Sequence, residues 1–167
     1  MLIVVMGVSG SGKSTLGEAL AQALKCDFQE GDTLHPAANV EKMRAGIALD
    51  DIDRQPWLER VVAWIATQRS QQRDGVVSCS ALKRSYRERL RQADPELRFV
   101  YLQLPRVELE QRLRQRSHFM PASLLDSQLQ TLQEPAADEL ALTLDGRVAM
   151  PLNVASVRHW LSAAGHA

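Results

Sequence analysis

Gly7-Val8-Ser9-Gly10-Ser11-Gly12-Lys13-Ser14 spells GxxxxGK[ST]. That pattern carries meaning only between a strand and a helix, and both are legible here. Ahead of it, Leu2 to Met6 is a short, β-branched-rich apolar run that stops at glycine, as a central parallel strand does. Behind it, from Thr15, Leu16, Leu20 and Leu24 recur four apart with Ala19 and Ala23 beside them, which is helical spacing. In that setting glycines permit positive φ and turn successive N–H groups inward, forming an anion-binding concavity at the positive end of a helix. The stretch predicts a nucleotide-phosphate site made of Gly7, Val8, Ser9, Gly10, Ser11, Gly12, Lys13, Ser14 and Thr15. Within it, Lys13 is expected to reach the β and γ phosphates, the Ser14 hydroxyl to ligate Mg²⁺, and Thr15 to approach the α phosphate.

The alternation continues outward. Cys26 to Glu30 predicts a second strand ending at Gly31, and Pro36 opens a short helix through Val40 and Met43 that ends near Gly46. Asp53 reads as the N-cap of a helix striped by Trp57, Leu58, Val61, Val62 and Ile65 and running to about Arg73. Further strands are expected at Val76 to Cys79, Phe99 to Leu104 and across Leu140, Leu142 and Leu144. Helices are expected at about Arg84 to Gln92, Arg106 to Arg116, Ala122 to Gln133 and Val154 to Ala163. Gly17, inside the first helix, costs about 1 kcal/mol against alanine, and is read as permitting close approach of that helix to the sheet. Strands and helices alternating in this way require right-handed crossovers and a parallel sheet covered on both faces. The expected fold is α/β, with a five-stranded parallel sheet, helices on both faces and a small lid at about 112–135. Ligands should then gather at the C-terminal strand ends, where Gly7 to Ser14, Gly31 to His35, Ser80 to Lys83 and the helix end near Arg116 converge.

At 167 residues and 45% apolar content, the chain can bury one substantial core, and one domain over 1–167 is expected. Its 20 basic and 20 acidic residues cancel, so no global field gathers nucleic acid or an anionic membrane surface. The apolar run before Gly7 is too short for a signal peptide or a membrane span. Cys26 and Cys79 lie far apart with no CxxC spacing, which argues against a disulfide framework or zinc site and fits a reduced cytoplasm.

A phosphate cradle does not by itself separate a switch from a kinase. The guanine-reading Asn-Lys-x-Asp and the switch string Asp-x-x-Gly are both absent. Transfer to a small acceptor needs a hydroxyl held in line with the γ phosphate, usually with a carboxylate to orient it or accept its proton. Asp32, after the second strand, is placed for that role; a turn-forming Gly-Asp pair is the equally weighted alternative. Lys83 with Arg87, and Arg112 with Arg116, pair at i, i+4 and share helix faces if the helices extend that far. A solvated face explains any one arginine, whereas the set points to anion binding. His35 and His118 could bind hydroxyls or exchange protons, or serve only as loop polarity. The acidic run Asp50-Asp51-Ile52-Asp53 lacks the glycine and terminal glutamate of a calcium loop and reads as helix capping.

Together these residues resemble one family, the gluconokinases, P-loop kinases of the shikimate kinase and adenylate kinase type. The matching strings are Gly31-Asp32-x-x-His35-Pro36-x-x-Asn39-x-x-Lys42-Met43, Asp51-x-Asp53-Arg54-x-Pro56-Trp57-Leu58, Cys79-Ser80-Ala81-Leu82-Lys83-x-x-Tyr86-Arg87, His118-Phe119, Leu124-Leu125-x-Ser127-Gln128 and Leu132-Gln133-Glu134-Pro135. The resemblance implies Mg-ATP as cofactor, transfer of phosphate to the 6-hydroxyl of D-gluconate, and a homodimer. It also implies that Lys13, Asp32 and Arg116 are catalytic, and that Asp32, His35, Arg54, Lys83, Arg87, His118 and Gln128 meet the acceptor. Which of Lys83, Arg87 and Arg54 faces the acceptor carboxylate stays open. One departure is Ile47-Ala48-Leu49, where the family usually has proline before the leucine. Alternatives are a kinase of the same architecture acting on shikimate, idonate or a nucleoside monophosphate, and an ATP-binding regulator without turnover.

Overall fold

The computed structural model describes residues 1–115 and 122–164. Five strands, β1 (Leu2–Met6), β2 (Asp27–Glu30), β3 (Gly75–Ser78), β4 (Arg98–Gln103) and β5 (Ala141–Asp145), form one sheet in the order β2-β3-β1-β4-β5. Every pairing is parallel. The helices are α1 (Lys13–Leu24), α2 (Ala37–Arg44), α3 (Asp51–Ser70), α4 (Arg84–Arg91), α5 (Arg106–Arg114), α6 (Ala122–Thr131) and α7 (Met150–Ala164).

Alternation along β1 sorts the core into two layers. Leu2, Val4 and Met6 face Trp57, Leu58, Val61 and Ile65 of α3 and Tyr86 and Leu90 of α4. Ile3 and Val5 face Leu16, Leu20 and Ala21 of α1 and Val157 and Leu161 of α7. The central strands β1 and β3 are therefore buried along their whole length, whereas the edge strand β2, Asp27-Phe28-Gln29-Glu30, is at most partly buried and correspondingly polar. A third cluster, Val8, Leu82, Leu104, Leu109, Leu113 and Leu125, packs α5 and α6 across the C-terminal strand ends. Gly17 does permit close approach: a Cβ there would stand 2.6 Å from the Phe28 ring.

Two boundaries differ from expectation for clear reasons. Helix α3 begins at Asp51, with Asp50 rather than Asp53 as its N-cap. Asp53 is instead the reciprocal partner of a capping box, its backbone N–H on Asp50 Oδ1 at 2.8 Å and its carboxylate on Asp50 N–H at 3.2 Å. Pro56 then falls inside the helix, and its missing N–H would have met the carbonyl of Ile52, so that one intrahelical bond is not made. Helix α7 starts at Met150, four residues before the expected Val154, because Pro151 in a first helical turn loses no hydrogen bond. Among the described residues no helix is long and apolar enough to cross a membrane.

Candidate active site

The loop between β1 and α1 has the backbone its glycines predict. Gly7, Gly10 and Gly12 all have positive φ, and a Cβ on Gly10 would press on Leu113 at 3.0 Å. The first intrahelical bond of α1 is Leu16 N–H to Gly12 O at 3.0 Å, so the N–H groups of Lys13, Ser14 and Thr15 precede it and face a would-be anion. Lys13 is 7% exposed, and none of the ion pairs among the described residues includes it. A buried ammonium without a carboxylate is costly unless an anion arrives from outside. The Ser11 hydroxyl is likewise buried with no partner among the described residues.

Opposite stands Asp32, on a 3₁₀ turn (Gly31–Leu34) held from three directions. Trp57 Nε1 donates to Gly31 O at 2.8 Å, Gly31 N–H donates to Ser78 Oγ at 3.1 Å, and Asp32 N–H donates to Glu30 Oε1 at 3.3 Å. Ser78 Oγ in turn donates to Glu30. No other residue fits position 31, since a Cβ there would lie 1.9 Å from Ser78 O. Asp32 is thus a turn residue, and the same turn brings it to the wall of a cavity.

A cavity of about 250 Å³ joins the two halves. Ser9, Lys13, Asp32, His35, Arg54 and Gln128 supply its polar lining, with Ser80 and Ser127, while Val40, Met43, Ala48, Leu49 and Leu124 form an apolar wall. Helix α6 reaches it through Gln128, whose Oε1 accepts from Ser9 N–H at 2.7 Å and whose Nε2 donates to Ser9 Oγ at 3.0 Å. Arg54 is 7% exposed and anchors its Nε on Leu49 O at 3.2 Å. His35 stacks on Trp57, ring centroids 4.6 Å apart and planes within 7°. Burial above all, with Arg54 and Arg60 adding to it against Asp32, brings its pKa down to about 4.

Two expected acceptor contacts lie elsewhere. Arg87 is 1% exposed and forms a bidentate pair with Glu139, Nε to Oε2 at 2.6 Å and Nη2 to Oε1 at 2.8 Å. Its Nη1 donates to Ala81 O and Gln133 O at 3.0 and 2.9 Å, so four of its five N–H donors are committed within the protein, and it is not part of the cavity lining. It ties α4 to the segment before β5. Lys83 Nζ sits 2.7 Å from both oxygens of Asp51, outside the cavity lining. Arg116 and His118 lie outside the described residues.

A family model described as an AAA domain matches residues 2–135. The gluconokinase of Gluconobacter oxydans (strain 621H) is 52% identical over 145 residues, 86% of this chain and 82% of its own. The chain belongs to the gluconokinase family. A gluconokinase from Sinorhizobium meliloti 1021 superposes with a TM-score of 0.88 at 45% identity, covering 97% of this chain and 91% of its own. An unliganded sugar kinase from Janibacter sp. HTCC2649 gives 0.91 at 40% identity, covering 96% of this chain and 94% of its own.

For a gluconokinase the sequence reading overlooked three supports. Trp57 was read as core, yet its indole N–H fixes the turn before Asp32. Asn39, 4% exposed, bridges His35 and the Asp53 carbonyl. Arg112 spans two carbonyls, Ser11 O at 3.2 Å and Gly146 O at 2.8 Å, bracing the phosphate loop against the turn after β5. Asn39 already stood in the string Gly31-Asp32-x-x-His35-Pro36-x-x-Asn39 that carries the resemblance; the partners of Trp57 and Arg112 had no signal in the sequence.

Proposed function

We propose that the chain transfers the γ-phosphate of ATP to the 6-hydroxyl of D-gluconate, giving 6-phospho-D-gluconate and ADP. The observation that carries the reading is one cavity whose lining brings together a buried cation that takes part in no ion pair among the described residues, Lys13, a carboxylate, Asp32, and a guanidinium, Arg54.

The loop N–H groups and Lys13 bind the phosphates and neutralise charge as it moves to the leaving ADP. Asp32 accepts the proton of the attacking hydroxyl while the new O–P bond forms and the bond to ADP breaks. Arg54 is the cation on hand for the acceptor carboxylate, because Lys83 and Arg87 are engaged with Asp51 and Glu139. Gln128 and His35 are within the same lining for the intervening hydroxyls. The Ser14 hydroxyl, half-buried in the first turn of α1, fits a magnesium ion held mainly by phosphate oxygens and water. No group of three His, Cys, Asp or Glu side chains that could hold a metal exists among the described residues, which is the donor poverty such an ion tolerates. When bound, Mg²⁺ would supply positive charge that neutralises the phosphates. Closure of a lid over about 112–135 would exclude water and suppress acceptor-free hydrolysis.

Coupled ADP release tests the reading with Mg-ATP and a panel of D-gluconate, L-idonate, shikimate and nucleoside monophosphates. Release that depends on gluconate is expected. Release with another acceptor, or none, would overturn it.

A further inference from the structure

Asn39 makes two contacts through one nitrogen. Its Nδ2 lies 2.7 Å from the backbone oxygen of Asp53 and 3.3 Å from His35 Nδ1. A carbonyl oxygen only accepts, so the contact with Asp53 sets which way the amide faces: its NH₂ group, not Oδ1, stands at this corner. One hydrogen of that group goes to Asp53 O. The other meets His35 Nδ1, which must offer its lone pair. A proton on Nδ1 would oppose a donor, so the ring proton belongs on Nε2.

The arrangement is braced. Asp53 is held by the capping box of α3 and by Lys42 Nζ of α2, at 2.7 and 2.9 Å from its two carboxylate oxygens. The imidazole plane is held by its stack on Trp57, which is fully buried. With Nδ1 turned to Asn39 and one face on Trp57, Nε2 is the polar atom left to the cavity that His35 lines.

We infer that Asn39 is a positioning residue that locks His35 in the neutral Nε2–H tautomer, making His35 a donor-only contact to an oxygen of the acceptor and leaving proton acceptance to Asp32. The inference rests on the cavity being the acceptor site. Three charged groups face the ring: Asp32 from the turn, which favours a second ring proton, and Arg54 and Arg60 from α3, which oppose it together with burial. An acceptor lacking the matched oxygen would leave Nε2–H without its partner on the ligand, so the lock is a specificity device as well.

Long-range ¹⁵N–¹H correlation on the full chain, with His35 assigned through His35→Gln, reads the tautomer directly. The expected spectrum shows Nε2 protonated, Nδ1 bare, and no titration between about pH 5 and 8. A protonated Nδ1, or a midpoint near the ordinary value of about 6.5, overturns the lock. Asn39→Asp places a carboxylate against Nδ1; a titration should then appear inside that window, with the gluconate KM following it and the ATP KM unmoved. His35→Leu should raise the gluconate KM about tenfold or more, with His35→Gln, which keeps a donor, recovering most of it. A gluconate KM unchanged in His35→Leu, in an enzyme still dependent on gluconate, overturns the contact. Loss of gluconate dependence in the unsubstituted chain is the separate failure of the functional reading, and the spectrum still decides the lock.

Discussion

Lys13 and Arg54 on one side, and Lys83 and Arg87 on the other, are equally basic in the sequence and differently used. The first pair borders the cavity and takes part in no ion pair among the described residues. The second pair is matched to carboxylates, Asp51 and Glu139, and acts as scaffold. Burial does not distinguish them, since Arg87 is more buried than Lys13. What distinguishes them is whether the protein supplies the counter-charge. A buried cation left without one is a site held ready for an anion; a buried cation given one is a fastener.

Substitutions can break or sharpen that contrast. Lys13→Ala should cause the largest loss, about 10³-fold in kcat/KM for ATP with the melting temperature nearly unchanged, because its charge serves phosphates rather than the fold. Steady-state kinetics beside a thermal melt checks both halves. Arg87→Met should do the reverse: about 3 kcal/mol of stability lost by leaving Glu139 buried with only Arg91, at 4.0 Å, as counter-charge, with the gluconate KM of the folded fraction unchanged. Denaturant unfolding of that variant and of the Arg87→Met/Glu139→Leu double variant, which should recover much of the loss, reads the pair. The same pair sets an acid limit. The hydrogen bond from Arg87 holds the Glu139 carboxyl below its ordinary value. Its contribution is therefore complete above the unfolded value of about 4.3 and is lost as pH falls through the lower folded one. The double variant should lack that part of the acid unfolding curve.

Arg54→Met comes next, raising the gluconate KM by about 10- to 100-fold, the loss expected for a charge-assisted hydrogen bond. An unchanged KM would move the carboxylate contact elsewhere. Lys83→Met should do least: an exposed pair with Asp51 contributes under about 1 kcal/mol, and neither kinetic constant should move.

Most of the fold was legible because its signals are local. The strands are runs of a few apolar residues, α1 has leucines four apart, and the phosphate loop is contiguous. The site was legible only in part, since its deciding contacts are distant. Glu139 lies 52 positions from Arg87 and Gln128 lies 119 from Ser9, so no spacing rule reports them. Lys83 and Arg87 do not share a helix face, because Lys83 is the extended N-cap of α4, and their spacing said nothing about what each would meet. Asp53 was misjudged as an N-cap because Asp50 and Asp53 are both good capping residues, and only the reciprocal bonds of the folded helix rank them.

Asp32, held on its turn by Trp57, Ser78 and Glu30, is predicted to take the proton of the gluconate hydroxyl in the cavity that Lys13 also lines. The most direct test is kcat with saturating D-gluconate for Asp32→Asn, together with the Kd for ATP. A fall of about 10²-fold or more in turnover at unaltered ATP affinity is predicted; turnover close to that of the unsubstituted chain would contradict it.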